Sequence, residues 1–71
     1  MRIWLKKIRI KKGLTQAQTG ILSQITPQYY NFIENGDRNP SAKVAKRIAR
    51  TLGFTEWYKL LDKEEFTNVI K

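Results

Sequence analysis

The side chains able to do chemistry in this chain are amides, hydroxyls and positive charges. Its 71 residues contain no cysteine and no histidine. A thiolate nucleophile, an imidazole general base and a histidine pH switch are therefore excluded. A zinc site would have carboxylates alone to use. The six acids form no obvious catalytic pair, and no nucleophile–base set or phosphate-cradling glycine loop is present, so the residues do not point to an enzyme. Nothing indicates a cofactor or a small-molecule ligand. What remains is a net charge of +8. A basic surface suits nucleic acid, an acidic membrane or an acidic protein partner. Eleven of the fourteen Lys and Arg lie in residues 1–54, where Glu34 and Asp37 are the only acids. Residues 55–71 set Glu56, Asp62, Glu64 and Glu65 against three lysines. The long part can face a polyanion, and the tail contributes little to that.

Such charges act usefully only if a fold positions them. The chain length allows one domain with one modest core. No apolar run approaches the roughly 20 residues of a membrane span. Residues 1–12 alternate apolar and basic residues and lack the apolar centre of a signal peptide, so an intracellular place is expected. Absent cysteine fits a reducing compartment.

Punctuation divides the chain into short helices. The first is expected from about Arg2 to Lys12, with Ile3, Trp4, Leu5 and Ile8 on its apolar side and Gly13 as its cap. Thr15 followed by Gln18 has capping-box spacing and opens a second helix, from about Gln16 to Leu22. Thr26-Pro27 opens a third: the threonine can accept from an orphan amide, and proline at the first helical position loses no hydrogen bond. That helix runs to about Asn35 and ends at Gly36, with Tyr30 and Ile33 inward. Gln28, Asn31 and Phe32 share the opposite side. After a loop, Ser41 starts a fourth helix on the stripe Val44, Ala45, Ile48, Ala49 and Leu52, closed by Gly53. Its outer side is expected to carry Lys43, Lys46, Arg47 and Arg50. A fifth helix is expected from Thr55 to Leu61. Asp62 with Glu65 repeats the capping-box spacing and can open a last short helix bearing Phe66, Val69 and Ile70. The fold class expected is all-α, a compact bundle of about five short helices, with residues 1–61 as the domain and residues 62–71 as a tail.

Two short helices separated by about three residues, with a third element closing the core, can present a helix to a DNA major groove. An ordered string of residues makes this specific. Gly13-Leu14-Thr15-Gln16, Ile25-Thr26, Tyr29-Tyr30, Ile33-Glu34-Asn35-Gly36, Asn39-Pro40-Ser41 and Leu52-Gly53-Phe54 together resemble the lambda-repressor-like helix-turn-helix family, the Cro or XRE type. The resemblance spans roughly Leu5 to Phe54. The Tyr-Tyr pair and the Leu-Gly-Phe ending look like the branch common in phages and mobile elements. The departures are Thr19 where the family favours an aliphatic residue, Gly20 where it favours alanine, and Gln24 where it favours glycine in the turn. If that turn needs positive φ, glutamine there is strained by an amount of order 1 kcal/mol.

The resemblance implies a sequence-specific regulator of transcription, a repressor of phage or mobile-element type. Such a protein binds double-stranded DNA as a homodimer in the bacterial cytoplasm, at the nucleoid. It implies base reading by Pro27 and Gln28 at the start of the third helix. Glutamine can donate to and accept from adenine, and proline can touch a thymine methyl. Asn31 and Phe32 lie one turn later on the same side. It implies phosphate contacts by Gln16, Tyr29 and Asn35, extended by Arg38 and Lys43. Arg9 and Glu34 would form a partly buried ion pair that orients the third helix. For dimerisation the aromatic-rich, acidic C-terminal part offers Phe54, Trp57, Tyr58, Leu61 and Phe66, which could equally close the monomer core. The competing expectation is a protein-interaction module on the same fold, such as an antitoxin or an antagonist of another regulator, with a regulatory protein as its partner.

Overall fold

The computed structural model describes residues 1–61 and is helical throughout its regular elements. Four α-helices follow one another: α1 (Ile3–Lys11), α2 (Gln16–Leu22), α3 (Pro27–Asn35) and α4 (Ala42–Leu52). A 3-10 helix, Trp57–Leu60, completes the order. The expected helix opened by Asp62, and with it Phe66, Val69 and Ile70, lies outside the described residues. Among the described residues, no helix is long and apolar enough to cross a membrane.

Local hydrogen bonds explain where the helices begin. Thr15 Oγ1 accepts from the Gln18 amide at 3.0 Å, and Gln18 Oε1 accepts from the Thr15 amide at 2.8 Å, a complete capping box at α2. Thr26 Oγ1 accepts from the Tyr29 amide at 3.0 Å, and Pro27 takes the first position of α3. Ser41 Oγ does the same for α4 through the Val44 amide at 3.3 Å. Gly36 stops α3 at φ 84°, a conformation that costs glycine nothing.

The core consists of Leu5, Tyr30, Ile33, Ala45, Ile48, Leu52, Leu60 and Leu61. The inward side of α3 and the apolar stripe of α4 are thus those expected. On α1 the buried residues are Leu5 and Arg9, while Ile3 is 57% exposed; the apolar side of this helix is narrower than its composition suggests. The expected fifth helix shrinks to a single 3-10 turn. Its N-terminus, at Glu56, has no side-chain cap, and the Thr55 amide and hydroxyl both donate to Glu56 Oε1, at 3.1 and 2.8 Å. Even so, Leu60 and Leu61 reach the core from there.

The turn between α2 and α3 is the most constrained segment. A Cβ on Gly20 would stand 3.0 Å from both Pro27 Cα and the Thr26 carbonyl oxygen, so glycine lets α3 start closer to α2 than alanine would. Thr19 is fully buried and returns its hydroxyl to the Thr15 carbonyl at 2.8 Å, which makes a polar residue tolerable there. The turn is also tied to α4. Ser23 Oγ donates to Thr51 Oγ1 at 3.0 Å, and Arg47 Nε donates to the Ser23 carbonyl at 3.0 Å. Arg47 therefore does not share the outer side of α4 with Lys43 and Arg50. Its long side chain folds back to satisfy a carbonyl left over by α2.

Gln24 sits in this turn at φ 62°, the one positive-φ residue other than glycine among the described residues. It is exposed, so no packing compensates the strain. Left-handed backbone costs an L-residue about 1–2 kcal/mol, and glycine returns about half of that as extra chain entropy when unfolded. Gln24→Gly is expected to stabilise by about 0.5–1 kcal/mol and to raise the thermal midpoint by roughly 3–6 °C, whereas Gln24→Ala brings no such gain. Equal midpoints for the glycine and alanine variants would show that the turn is unstrained.

Candidate nucleic-acid interface

The first turn of α3 stands at the surface. Pro27 and Gln28 are both exposed there, held by the Thr26 cap, and among the described residues the Gln28 side chain makes no hydrogen bond. One turn on, Asn31 and Phe32 are half-buried, as is Tyr29, which packs against the core. The Arg38 guanidinium lies 5.6 Å from the centre of the Phe32 ring. Phe32 and Arg38 thus form one mixed apolar and cationic patch where α3 meets the loop after it. Arg38 and Lys43 are exposed and flank the C-terminal end of α3 and the start of α4.

Beneath this surface lies a buried ion pair. Arg9 Nε meets Glu34 Oε1 at 2.8 Å and Arg9 Nη2 meets Oε2 at 3.2 Å, so the expected bidentate pairing of α1 with α3 is present. Glu34 is fully buried. Its oxygens also accept from the Tyr30 hydroxyl at 3.2 Å and from Gln16 Nε2. Four donors fill the acceptor capacity of a carboxylate. Burial alone pushes the Glu34 carboxyl up. Hydrogen bonds from Arg9 and Gln16 and the Arg9 charge outweigh it, and the group is held below its ordinary value. The third guanidinium nitrogen of Arg9, Nη1, donates to the Leu14 carbonyl at 2.9 Å, which anchors the loop before α2. Burial pushes the Tyr30 hydroxyl well above its ordinary range, and the neighbouring carboxylate adds to this, so it stays a donor.

Gln16 is more deeply engaged than its expected contact with a phosphate suggests. Half-buried at the start of α2, it donates to Glu34 and accepts from Asn31 Nδ2 at 2.8 Å. Asn31 Oδ1 in turn accepts from Asn35 Nδ2 at 3.2 Å. The structure therefore joins Gln16, Asn31 and Asn35 into one network with the ion pair. The i, i+4 spacing of Tyr30 with Glu34 and of Asn31 with Asn35 is visible in the sequence and was a usable signal. No local spacing announces Gln16.

A second arginine was missed altogether. The Arg2 side chain donates to the carbonyls of Ile33, of Arg38 at 3.1 Å and of Leu60 at 3.4 Å, and to Asn39 Oδ1. Its backbone amide donates to the Glu34 carbonyl at 2.7 Å. A cation on the last carbonyls of α3 is favourable there and ties the 3-10 helix to the same point.

The residues proposed for dimerisation divide. Leu61 is 7% exposed and belongs to the core. Phe54 is half-buried and meets Trp4 edge to face at 5.6 Å. Trp57 and Tyr58 are half-buried and contact each other at 6.0 Å, with Lys46 Nζ 4.8 Å from the Trp57 ring centre.

Comparison with known proteins agrees with this architecture. The helix-turn-helix family model matches residues 5–57. The chain is 51% identical over 57 residues to the uncharacterized HTH-type transcriptional regulator YqaF of Bacillus subtilis, covering 80% of this chain and 74% of that protein. It is 36% identical over 47 residues to the uncharacterized HTH-type transcriptional regulator y4dJ of Sinorhizobium fredii, covering 66% of this chain and 61% of that one. No solved structure gives a significant match. With its capped α2 and α3, its Arg9–Glu34 pair and this match along most of its length, the chain belongs to the helix-turn-helix family of the Cro/C1 type.

Proposed function

We propose that this protein is a sequence-specific regulator of transcription that binds double-stranded DNA and acts as a repressor. In this reading α3 lies in the major groove, Gln28 and Pro27 meet base edges, and Asn31 and Phe32 follow along the same side. The observation that carries it is the exposed first turn of α3, where Gln28 presents an unshared amide at the end of an immobilised helix. Phosphates are held by Arg38, Lys43 and Tyr29 and by the exposed surface of Asn35 and Gln16. Two copies bind a two-fold operator, with half-sites about 34 Å apart on one face of the duplex. Phe54, Trp57 and Tyr58 together with residues 62–71 form the contact between them.

Selection of bound duplexes from a random library tests this directly. A two-fold repeated motif is expected, with its half-sites one helical turn apart. In Gln28→Ala, discrimination at one base pair per half-site falls by about 5–150-fold, while binding to random duplex at low salt is kept. No enriched motif at physiological salt would contradict specific reading, and a single unrepeated motif would contradict the dimer.

One observation favours a protein-interaction module. Ile21 is 64% and Leu22 is 59% exposed, and with Leu14 and Gln18 they line an open apolar groove on α2. A mobility-shift assay with random duplex at two salt concentrations separates the readings, since absence of binding at low salt would favour an antitoxin-like or antagonist role.

A further inference from the structure

We propose that Gln16 is a positioning residue for base reading: it passes the polarity of the buried Glu34 carboxylate to Asn31 and so fixes which way the Asn31 amide faces. The inference rests on the DNA-binding reading above. Glu34, ionised and filled by donors, can only accept. Gln16 must therefore turn its NH2 group toward Glu34, which leaves its carbonyl oxygen for Asn31. Asn31 must then turn its own NH2 toward Gln16, at 2.8 Å, and its carbonyl toward the Asn35 NH2, at 3.2 Å. Every bond in this relay runs toward the carboxylate. An amide flipped at any step would set two donors or two acceptors against each other.

The consequence reaches the surface. After these two bonds Asn31 still has one N–H and one carbonyl lone pair unused, and the ends that carry them are fixed. A rotating amide offers both orders and discriminates poorly. A held amide offers one, and it suits a base that presents an acceptor beside a donor, as adenine does in the major groove. Gln16 links α2 to α3 while doing so, so the same contact fixes the docking helix and one element of the reading surface.

The test is a double-variant cycle in the full chain. Gln16→Met keeps the length and helix preference of the side chain, leaves the Arg9–Glu34 pair in place and cuts the relay. Side-chain amide NMR of the free protein reports the relay, and duplex selection reports reading. We expect the Asn31 NH2 protons to exchange with solvent faster in Gln16→Met than in the parent. Discrimination at the base pair facing Asn31 should fall by about tenfold, with other positions unchanged. Asn31→Ala, at a half-buried surface site, should lose the same discrimination, and the Gln16→Met/Asn31→Ala pair should lose no more. Weakening of Gln16→Met that is uniform across sequences, with discrimination at the base pair facing Asn31 retained, would leave Gln16 a phosphate contact alone and overturn the proposal. So would an unchanged Asn31 exchange rate. If the parent protein enriches no motif, the DNA-binding reading fails and takes the proposal with it, whereas a parent motif retained intact in Gln16→Met removes the proposal alone.

Discussion

Glu34→Gln is expected to lower the thermal midpoint by roughly 12–40 °C while leaving most of the selected motif intact. The substitution keeps shape and some hydrogen bonding but leaves the Arg9 guanidinium buried without its counter-charge. Removing one partner of a buried pair costs about 3–5 kcal/mol, much of it the desolvation of the charge left behind. For a domain of this size each kcal/mol shifts the midpoint by about 4–8 °C. The cost is large because Glu34 is the shared acceptor of Arg9, Tyr30 and Gln16, so one change disturbs α1, α2 and α3 together. Gln28 shares no side-chain hydrogen bond with these groups, and Pro27 has none to share, so their contribution to base preference should survive below the new midpoint. Change in preference is confined to the base pair facing Asn31. A midpoint within a few degrees of the parent would show that the pair contributes little.

The same pair predicts a direction for pH. The folded-state Glu34 carboxyl is depressed relative to an unfolded value near about 4.3. Its contribution to stability is therefore complete above that value and is lost as pH falls through the lower folded one. The gap in thermal midpoint between the parent and Glu34→Gln should be widest near neutral pH and should narrow on acidification below about pH 4. A gap independent of pH would assign the loss to packing rather than to charge.

What could be read in the sequence divides by distance along the chain. Thr15 with Gln18, Thr26 with Pro27, and Ser41 declare helix starts because cap and capped amide lie within three residues. Tyr30, Ile33 and the α4 stripe declare their inward sides by periodicity, and the core confirms them. Arg9 and Glu34, 25 residues apart, were legible only through the family resemblance. Arg2 and Gln16 were not legible, since their roles depend on which carbonyls and carboxylates the tertiary fold brings near. Arg47 shows a further limit. Helical periodicity gives the direction in which a side chain leaves its helix, but a long arginine stem can double back to an unpaired carbonyl 24 residues away.

That redistribution of charge changes what the basic composition implies for binding. Of the eleven cations in residues 1–54, Arg2, Arg9 and Arg47 are held by internal carbonyls or a carboxylate, and Lys46 stands over Trp57. Among the candidate phosphate contacts only Arg38 and Lys43 carry charge; Gln16, Tyr29 and Asn35 are neutral and release no counterion. A dimer then neutralises about four phosphates, and log affinity should fall against log salt with a slope of roughly −4. Raising salt from about 50 to 200 mM should weaken operator binding about a hundredfold. If Lys6, Lys7 and Lys11 of α1 and Arg50 also reach the backbone, a dimer meets about twelve phosphates, the slope steepens toward about −11 and the loss exceeds about a hundred-thousandfold. Lys43→Ala should flatten the slope by about two in the dimer and weaken specific and random duplex alike, while Gln28→Ala should leave the slope unchanged. Fluorescence anisotropy titrations across four salt concentrations measure both quantities. A slope near zero would mean that the basic surface does not meet DNA phosphates, and a slope unchanged in Lys43→Ala would place the contact elsewhere on the molecule.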